Sequence, residues 1–134
     1  LIYTSRITSG FGPEEVSGIL EKARISNSKN EVTGLLCFNN KFFLQCLEGS
    51  RKKVNETYHK ILNDKRHSDI LMLNYCEIIE REFDKWSMGY MPQSSLTKPL
   101  NLKYSGTAHF DPYEMSGESA HRLMLALKVT LPDN

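Results

Sequence analysis

Apolar and polar positions along this chain change period several times, and each change marks an element. Leu1-Ile2-Tyr3-Thr4-Ser5 opens it as a strand pattern, with Gly10 and Gly12 in the loop that follows. Pro13-Glu14-Glu15 signals a helix start, with proline in the first turn and acids at the positive end of the helix dipole. Val16, Leu20, Ala23 and Asn27 then recur at helical spacing. Asn27 closes that apolar stripe, which places an amide at a core-facing position. Residues 32–38 and 42–48 read as two strands joined by a turn at Asn39-Asn40, a hairpin. The period returns to helical over residues 51–65, with Val54, Tyr58 and Ile61 on the inner side. Residues 70–79 predict a fourth strand, and Phe83 with residues 86–91 a short fifth.

The order β-α-β-β-α-β plus one strand predicts an α+β, ferredoxin-like βαββαββ fold. It would be a mixed five-stranded sheet with two helices on one face. Beyond Pro92 the pattern shifts: residues 94–112 are polar and turn-rich, and Ala120, Leu123, Met124 and Leu127 then fall at helical spacing. That amphipathic helix must bury its apolar face on the domain or on another copy. We therefore expect a domain over residues 1–92 and a C-terminal helical extension over residues 93–134.

Composition adds limits. A chain of 134 residues suits one domain with a core, and a net charge of +1 gives no reason to expect nucleic acid or a membrane surface as partner. Basic residues cluster at Arg51-Lys52-Lys53 and Lys65-Arg66-His67; the first is a solvated helix start. Cys37, Cys46 and Cys76 have no metal-ligand spacing and read as small buried residues of a reducing compartment, hence a cytoplasmic protein. The apolar runs are too short to span a bilayer.

The chemistry starts at Gln45. It shares a strand face with Phe43 and Leu47, and an amide buried there must find partners. It is either a satisfied core group or a switch, because turning an amide inverts its donor and acceptor. First and third strands are commonly adjacent in this architecture, with the first helix packed over them. Tyr3, Gln45 and Asn27 then converge on one pocket holding a phenol and two amides. The pocket has no carboxylate pair, no Ser/His/Asp set and no metal ligands. Such groups suit a flat heterocycle whose edge alternates C=O and N–H, with a tyrosine beside it able to give one electron and one proton.

Those residues carry a family resemblance. The chain resembles the BLUF domain, a blue-light sensor using FAD, in Leu1-Ile2-Tyr3-Thr4-Ser5 and in Asn27 ahead of Val32-Thr33-Gly34-Leu35-Leu36. The match continues in Phe42-Phe43-Leu44-Gln45-Cys46-Leu47-Glu48-Gly49, Asp64-Lys65-Arg66-His67 and Trp86-Ser87-Met88. It covers roughly residues 1–92. The tail, with Leu102-Lys103-Tyr104-Ser105 and Phe110-Asp111-Pro112, is similar to that of short stand-alone members.

The resemblance implies FAD, or FMN, lying between the two helices. Gln45 would bridge the Tyr3 hydroxyl and the flavin edge, and Asn27 would hold that edge from the other side. Phe43 and Ile25 would wall the ring, Arg66 and His67 would flank it, and Lys29 and Asn30 would reach the ribityl chain or phosphates. Family members often carry an amide directly before the key Asn, where this chain has Ser26. Light would draw an electron and a proton from Tyr3, the Gln45 amide would reorient, and the absorption would shift to the red. Met88 and Trp86, on a shared strand face, would report the change to a homo-oligomer or a downstream protein partner, with no substrate consumed. Three rivals stay open on the residues alone: an acylphosphatase-like enzyme using Arg6, a passive flavin store or flavin reductase, and a ligand-free interaction module.

Overall fold

A computed structural model describes residues 1–8 and 13–132. The expected loop glycines, Gly10 and Gly12, lie outside the described residues. The chain runs β1 (Ile2–Ile7), α1 (Pro13–Asn30), β2 (Thr33–Phe38), β3 (Phe42–Glu48), α2 (Arg51–Leu62), β4 (His67–Asn74) and β5 (Gly89–Met91). Two further helices follow, α3 (Lys98–Tyr104) and α4 (Gly117–Lys128). The strands form one mixed sheet in the order β4-β1-β3-β2-β5, antiparallel except for the β2–β5 pair. This is the ferredoxin-like arrangement that the hydrophobic periods predict.

Local chemistry sets the boundaries. The β2–β3 hairpin closes through Asn39, whose Oδ1 accepts from the Lys41 and Phe42 amides at 2.9 and 2.7 Å. This is the Asx-type bonding that favours asparagine in turns. Ser50 caps α2 by accepting from the Lys53 amide at 3.2 Å, and Ser116 caps α4 from the Ser119 amide at 3.0 Å. Each side chain satisfies a donor that the first turn of a helix leaves open.

Both faces of the sheet are covered. One core joins Tyr3, Leu36, Phe43, Leu47 and Met88 to Val16 and Leu20 of α1 and Val54 and Tyr58 of α2. The other joins Ile2, Leu35, Cys37, Leu44, Cys46, Phe83 and Trp86 to Ala120, Leu123, Met124 and Leu127 of α4. The C-terminal helix thus buries its apolar face on its own domain. Its approach is close: a Cβ on Gly117 would stand 2.1 Å from the Leu73 carbonyl oxygen of β4. Gly34 in β2 is as restricted, since a Cβ there would lie 1.9 Å from the Cys46 carbonyl oxygen.

Several expectations need correction. The fourth strand lies earlier than residues 70–79, at His67–Asn74, and residues 75–79 are irregular, with Ile79 fully exposed. An edge strand buried on neither side gives no clean alternation, so its ends are poorly marked in sequence. The fifth strand is only Gly89–Met91; residues 83–88 are not strand. The turn-rich stretch contains α3, which starts at the Lys98-Pro99 pair, where proline suits a first turn. Helix α2 ends at Leu62 rather than near residue 65. Cys76 is exposed, whereas Cys37 and Cys46 are buried. Burial pushes the Cys46 thiol up to about 12, which keeps it protonated and inert.

Candidate functional site

Tyr3 of β1 and Gln45 of β3 are direct partners across the antiparallel pair, so their side chains leave the sheet on one face side by side. The Tyr3 hydroxyl donates to Gln45 Oε1, and Gln45 Nε2 donates to Met88 Sδ at 3.3 Å. Tyr3 is 1% exposed and Gln45 7%. Burial above all, with Tyr58 and Asp64 nearby, pushes the Tyr3 phenol well above its ordinary range, so it stays neutral and keeps its proton to donate. The amide binds through one strong acceptor contact and one weak one, since a thioether is a poor acceptor. Exchanging the two ends of this amide would set its NH₂ against the Tyr3 hydroxyl oxygen and its carbonyl against a sulfur with no proton to give, so the two orientations make different hydrogen bonds.

Helix α1 supplies the opposite wall. Asn27 is buried, and its Nδ2 donates to the Ser87 carbonyl at 2.7 Å. Its Oδ1 has no hydrogen-bond partner among the described residues. One turn earlier, Arg24 Nε donates to the Met88 carbonyl at 3.0 Å. The sequence reading missed Arg24; its spacing of three from Asn27 was the available signal.

The third wall comes from the start of β4. His67 stacks obliquely on Phe43, with ring centroids 4.7 Å apart, and stands edge-on to Tyr3 at 6.3 Å. Its Nδ1 lies 2.7 Å from Ser5 Oγ, a partner that shares the Tyr3 face. Burial lowers the His67 pKa, opposed by Asp64 and assisted by Arg66, which favours the neutral ring. Arg66 turns to Asp64 in a forked pair, Nη2 to Oδ2 at 2.5 Å and Nε to Oδ1 at 2.9 Å. The Asp64 carboxyl is held below its usual range chiefly by that bond. Arg66 is thus at the pocket edge with its charge already matched.

A separate open cleft of about 380 Å³ lies between α1 and α2, lined by Lys22, Ile25, Ser26, Lys29, Asn30 and Lys60. Its size falls within the range of ligand pockets, about 300–1,000 Å³. Ile25 is 67% exposed there, so it is not a core residue as expected but an apolar rim. Lys22, Lys29 and Lys60 make no ion pair among the described residues. Lys22, Ser26 and Lys29 follow at helical spacing on α1, a ridge legible in sequence once its outward face is followed.

Trp86 departs from expectation. It does not share a face with Met88: Trp86 packs in the α4 core, while Met88 packs in the Tyr3 core. The backbone from 83 to 88 is irregular, so the alternation that would put residues 86 and 88 together does not apply. Trp86 Nε1 donates instead to the Pro132 carbonyl at 3.3 Å. Arg6, the residue an acylphosphatase-like site would need for phosphate, pairs with Asp69 at 3.3 Å and lies over the Tyr113 ring at 4.6 Å.

The chemistry of the donor set fits a flavin. A neutral phenol, an invertible amide, an unpartnered Asn oxygen and a lysine-lined cleft with an apolar rim match a flat ring carrying a polar edge and a phosphorylated chain. No helix among the described residues is long and apolar enough to cross a membrane.

Comparison with known proteins agrees. Residues 1–89 match the family model described as sensors of blue-light using FAD. The chain is 34% identical over 88 residues to the blue light- and temperature-regulated antirepressor BluF of Escherichia coli (strain K12), covering 66% of this chain and 22% of that protein. It is 32% identical over 89 residues to the photoactivated adenylate cyclase subunit beta of Euglena longa, covering 66% and 10%. The chain thus spans less than a quarter of these curated relatives. Among solved structures, BlsA in its photo-activated state superposes with a TM-score of 0.88 at 27% identity, over 100% of this chain and 96% of that one. The dark-state BLUF protein BlrB gives 0.80 at 27% identity, over 95% and 94%. With its sheet, its Tyr3–Gln45 pair and its family match in agreement, the chain belongs to the BLUF family of sensors of blue-light using FAD.

Proposed function

We propose that this protein signals blue light through rearrangement of the Tyr3–Gln45–Met88 hydrogen bonds, and that it catalyses no reaction of its own. The observation that carries this reading is the Tyr3 hydroxyl bound to Gln45 Oε1 while Gln45 Nε2 rests on Met88 Sδ. A bound flavin supplies the blue absorption and, once excited, an acceptor for one electron. Tyr3 is the donor: its phenol is neutral, and among the described residues its proton has one acceptor, Gln45 Oε1. Oxidation of the phenol acidifies that proton, so electron and proton leave Tyr3 together or in succession. Gln45 then changes orientation or tautomer and gives up the contact with Met88. When both particles return to Tyr3, the chain is chemically unchanged but its amide points elsewhere.

Gln45 and Asn27 hold the polar edge of the cofactor, Phe43 and Ile25 its ring, and His67 and Arg66 its flank. Lys29 and Asn30, with Lys22 and Lys60, take the phosphates. Three lysines without ion-pair partners among the described residues suit a diphosphate better than one phosphate, which favours FAD over FMN. Residues 1–92 form the flavin-binding unit and residues 93–134 the extension that carries the output, to a second copy or a downstream protein. The chain acts in the cytoplasm, where free Cys37, Cys46 and Cys76 stay reduced. Signalling by population shift needs only a few kcal/mol between the two amide states (about 5.5 for a complete reversal).

A light-minus-dark absorption spectrum tests the proposal. Purified protein should carry releasable FAD and show a reversible red shift; protein that binds flavin without any shift would be a passive flavin carrier instead.

A further inference from the structure

Three consecutive carbonyls between the Tyr3 pocket and β5 each find a different donor. Trp86 O accepts from the Gly34 amide of β2 at 3.2 Å, Ser87 O from Asn27 Nδ2 at 2.7 Å, and Met88 O from Arg24 Nε at 3.0 Å. The β2–β5 ladder begins only at Gly89, so no strand pairing fixes residues 87 and 88. Two α1 side chains fix them instead. One of the two, Asn27, is buried and is reserved for the cofactor in the proposed reading. Arg24 is not, and its guanidinium makes a charge-assisted bond to a backbone acceptor that no other described group serves.

The Met88 side chain leaves the same residue whose carbonyl Arg24 holds. Its sulfur is where Gln45 Nε2 rests, and the residue is 1% exposed. We infer that Arg24 is a positioning residue of the light switch, keeping Met88 Sδ in place for the Gln45 amide to return to. This inference rests on the proposed photoreceptor reading. With Arg24 present, the resting partner of Gln45 stays preorganised after the amide has turned away. Without it, the carbonyls of residues 87 and 88 keep only the Asn27 bond, and the returning amide meets a less firmly held Met88.

The test uses the flavin-loaded protein as wild type, Arg24→Ala and Arg24→Lys. Alanine is well tolerated in an exposed helical position, so α1 should fold unchanged. We expect Arg24→Ala to reach the full red shift and then recover in the dark about tenfold more slowly, the effect of losing one such bond from the return path. The Met88 methyl resonance, read in the dark in protein labelled at methionine methyls, should move in Arg24→Ala. Arg24→Lys, which keeps a cationic donor on a long stem, should restore both readouts most of the way. Recovery in Arg24→Ala within about twofold of wild type overturns the inference, given that tenfold is the expected scale. So does an unmoved Met88 resonance, or loss of flavin, which would make Arg24 a binding residue. A wild type with no red shift would sink the photoreceptor reading itself, while the dark Met88 resonance would still decide the Arg24 contact.

Discussion

The two faces of one sheet hold two different kinds of core. On the α4 side, Ile2, Leu35, Leu44, Leu123 and Leu127 pack around a few polar groups that have fixed backbone partners: Thr4 donates to the Phe43 carbonyl at 2.8 Å, and the buried Glu48 carboxylate accepts from the Glu82 and Phe83 amides at 2.8 and 3.0 Å. On the α1/α2 side, the buried Tyr3, Gln45, Asn27 and Ser5 and the half-buried His67 are threaded through buried apolar residues. A fold needs the first kind of core. The second costs desolvation that apolar side chains would avoid, so its polar groups answer to a different requirement, a hydrogen-bond pattern that can be exchanged. The faces meet at residues 86–88, where Trp86 enters one core and Met88 the other.

Substitutions should separate the two faces. Tyr3→Phe and Gln45→Leu are expected to keep flavin and abolish the red-shifted state entirely, the largest change of all; a normal photocycle in either would refute the relay. Leu123→Ala, in the opposite core, should cost about 2–5 kcal/mol in denaturant unfolding while the red shift survives. If the colour change vanished with it, the cores would not be separable. Gly117→Ala forces a methyl against the Leu73 carbonyl and should cost about 1–3 kcal/mol, also without spectral effect.

Trp86→Phe removes the long bond to the Pro132 carbonyl and part of a buried ring, so unfolding should shift by about 1–3 kcal/mol. Altered output with an intact spectrum would place Trp86 on the path to the extension. The smallest effect concerns pH. Burial lowers the folded-state pKa of His67, so the unfolded chain takes up its proton first. Stability from the neutral ring is complete above the unfolded pKa of about 6.5 and is lost as pH falls through the folded value. The difference in unfolding free energy between wild type and His67→Gln, followed downward from neutral pH, should therefore slope with pH; a flat difference would contradict a half-buried ring held neutral.

Several of these features are legible without coordinates. Period-two alternation puts Gln45 on the face of Phe43 and Leu47, and the apolar stripe of α1 turns Asn27 inward; both hold because β3 and α1 are regular and each buries the face its pattern marks. The BLUF motifs name the light-sensing class, and the order of elements names the sheet. Other features depend on tertiary structure. Trp86 and Met88 look like neighbours on one face as long as residues 83–88 are read as a strand, but there backbone direction is set by carbonyls bound to Gly34, Asn27 and Arg24. Ile25 reads as a wall and is a rim, because the exposure of a helical residue depends on how closely the next helix approaches. Local pattern determines which elements form and which way each regular one faces. The irregular joints between them are decided by long-range hydrogen bonds whose partners stand 52 to 64 residues apart, and no window along the chain contains both ends.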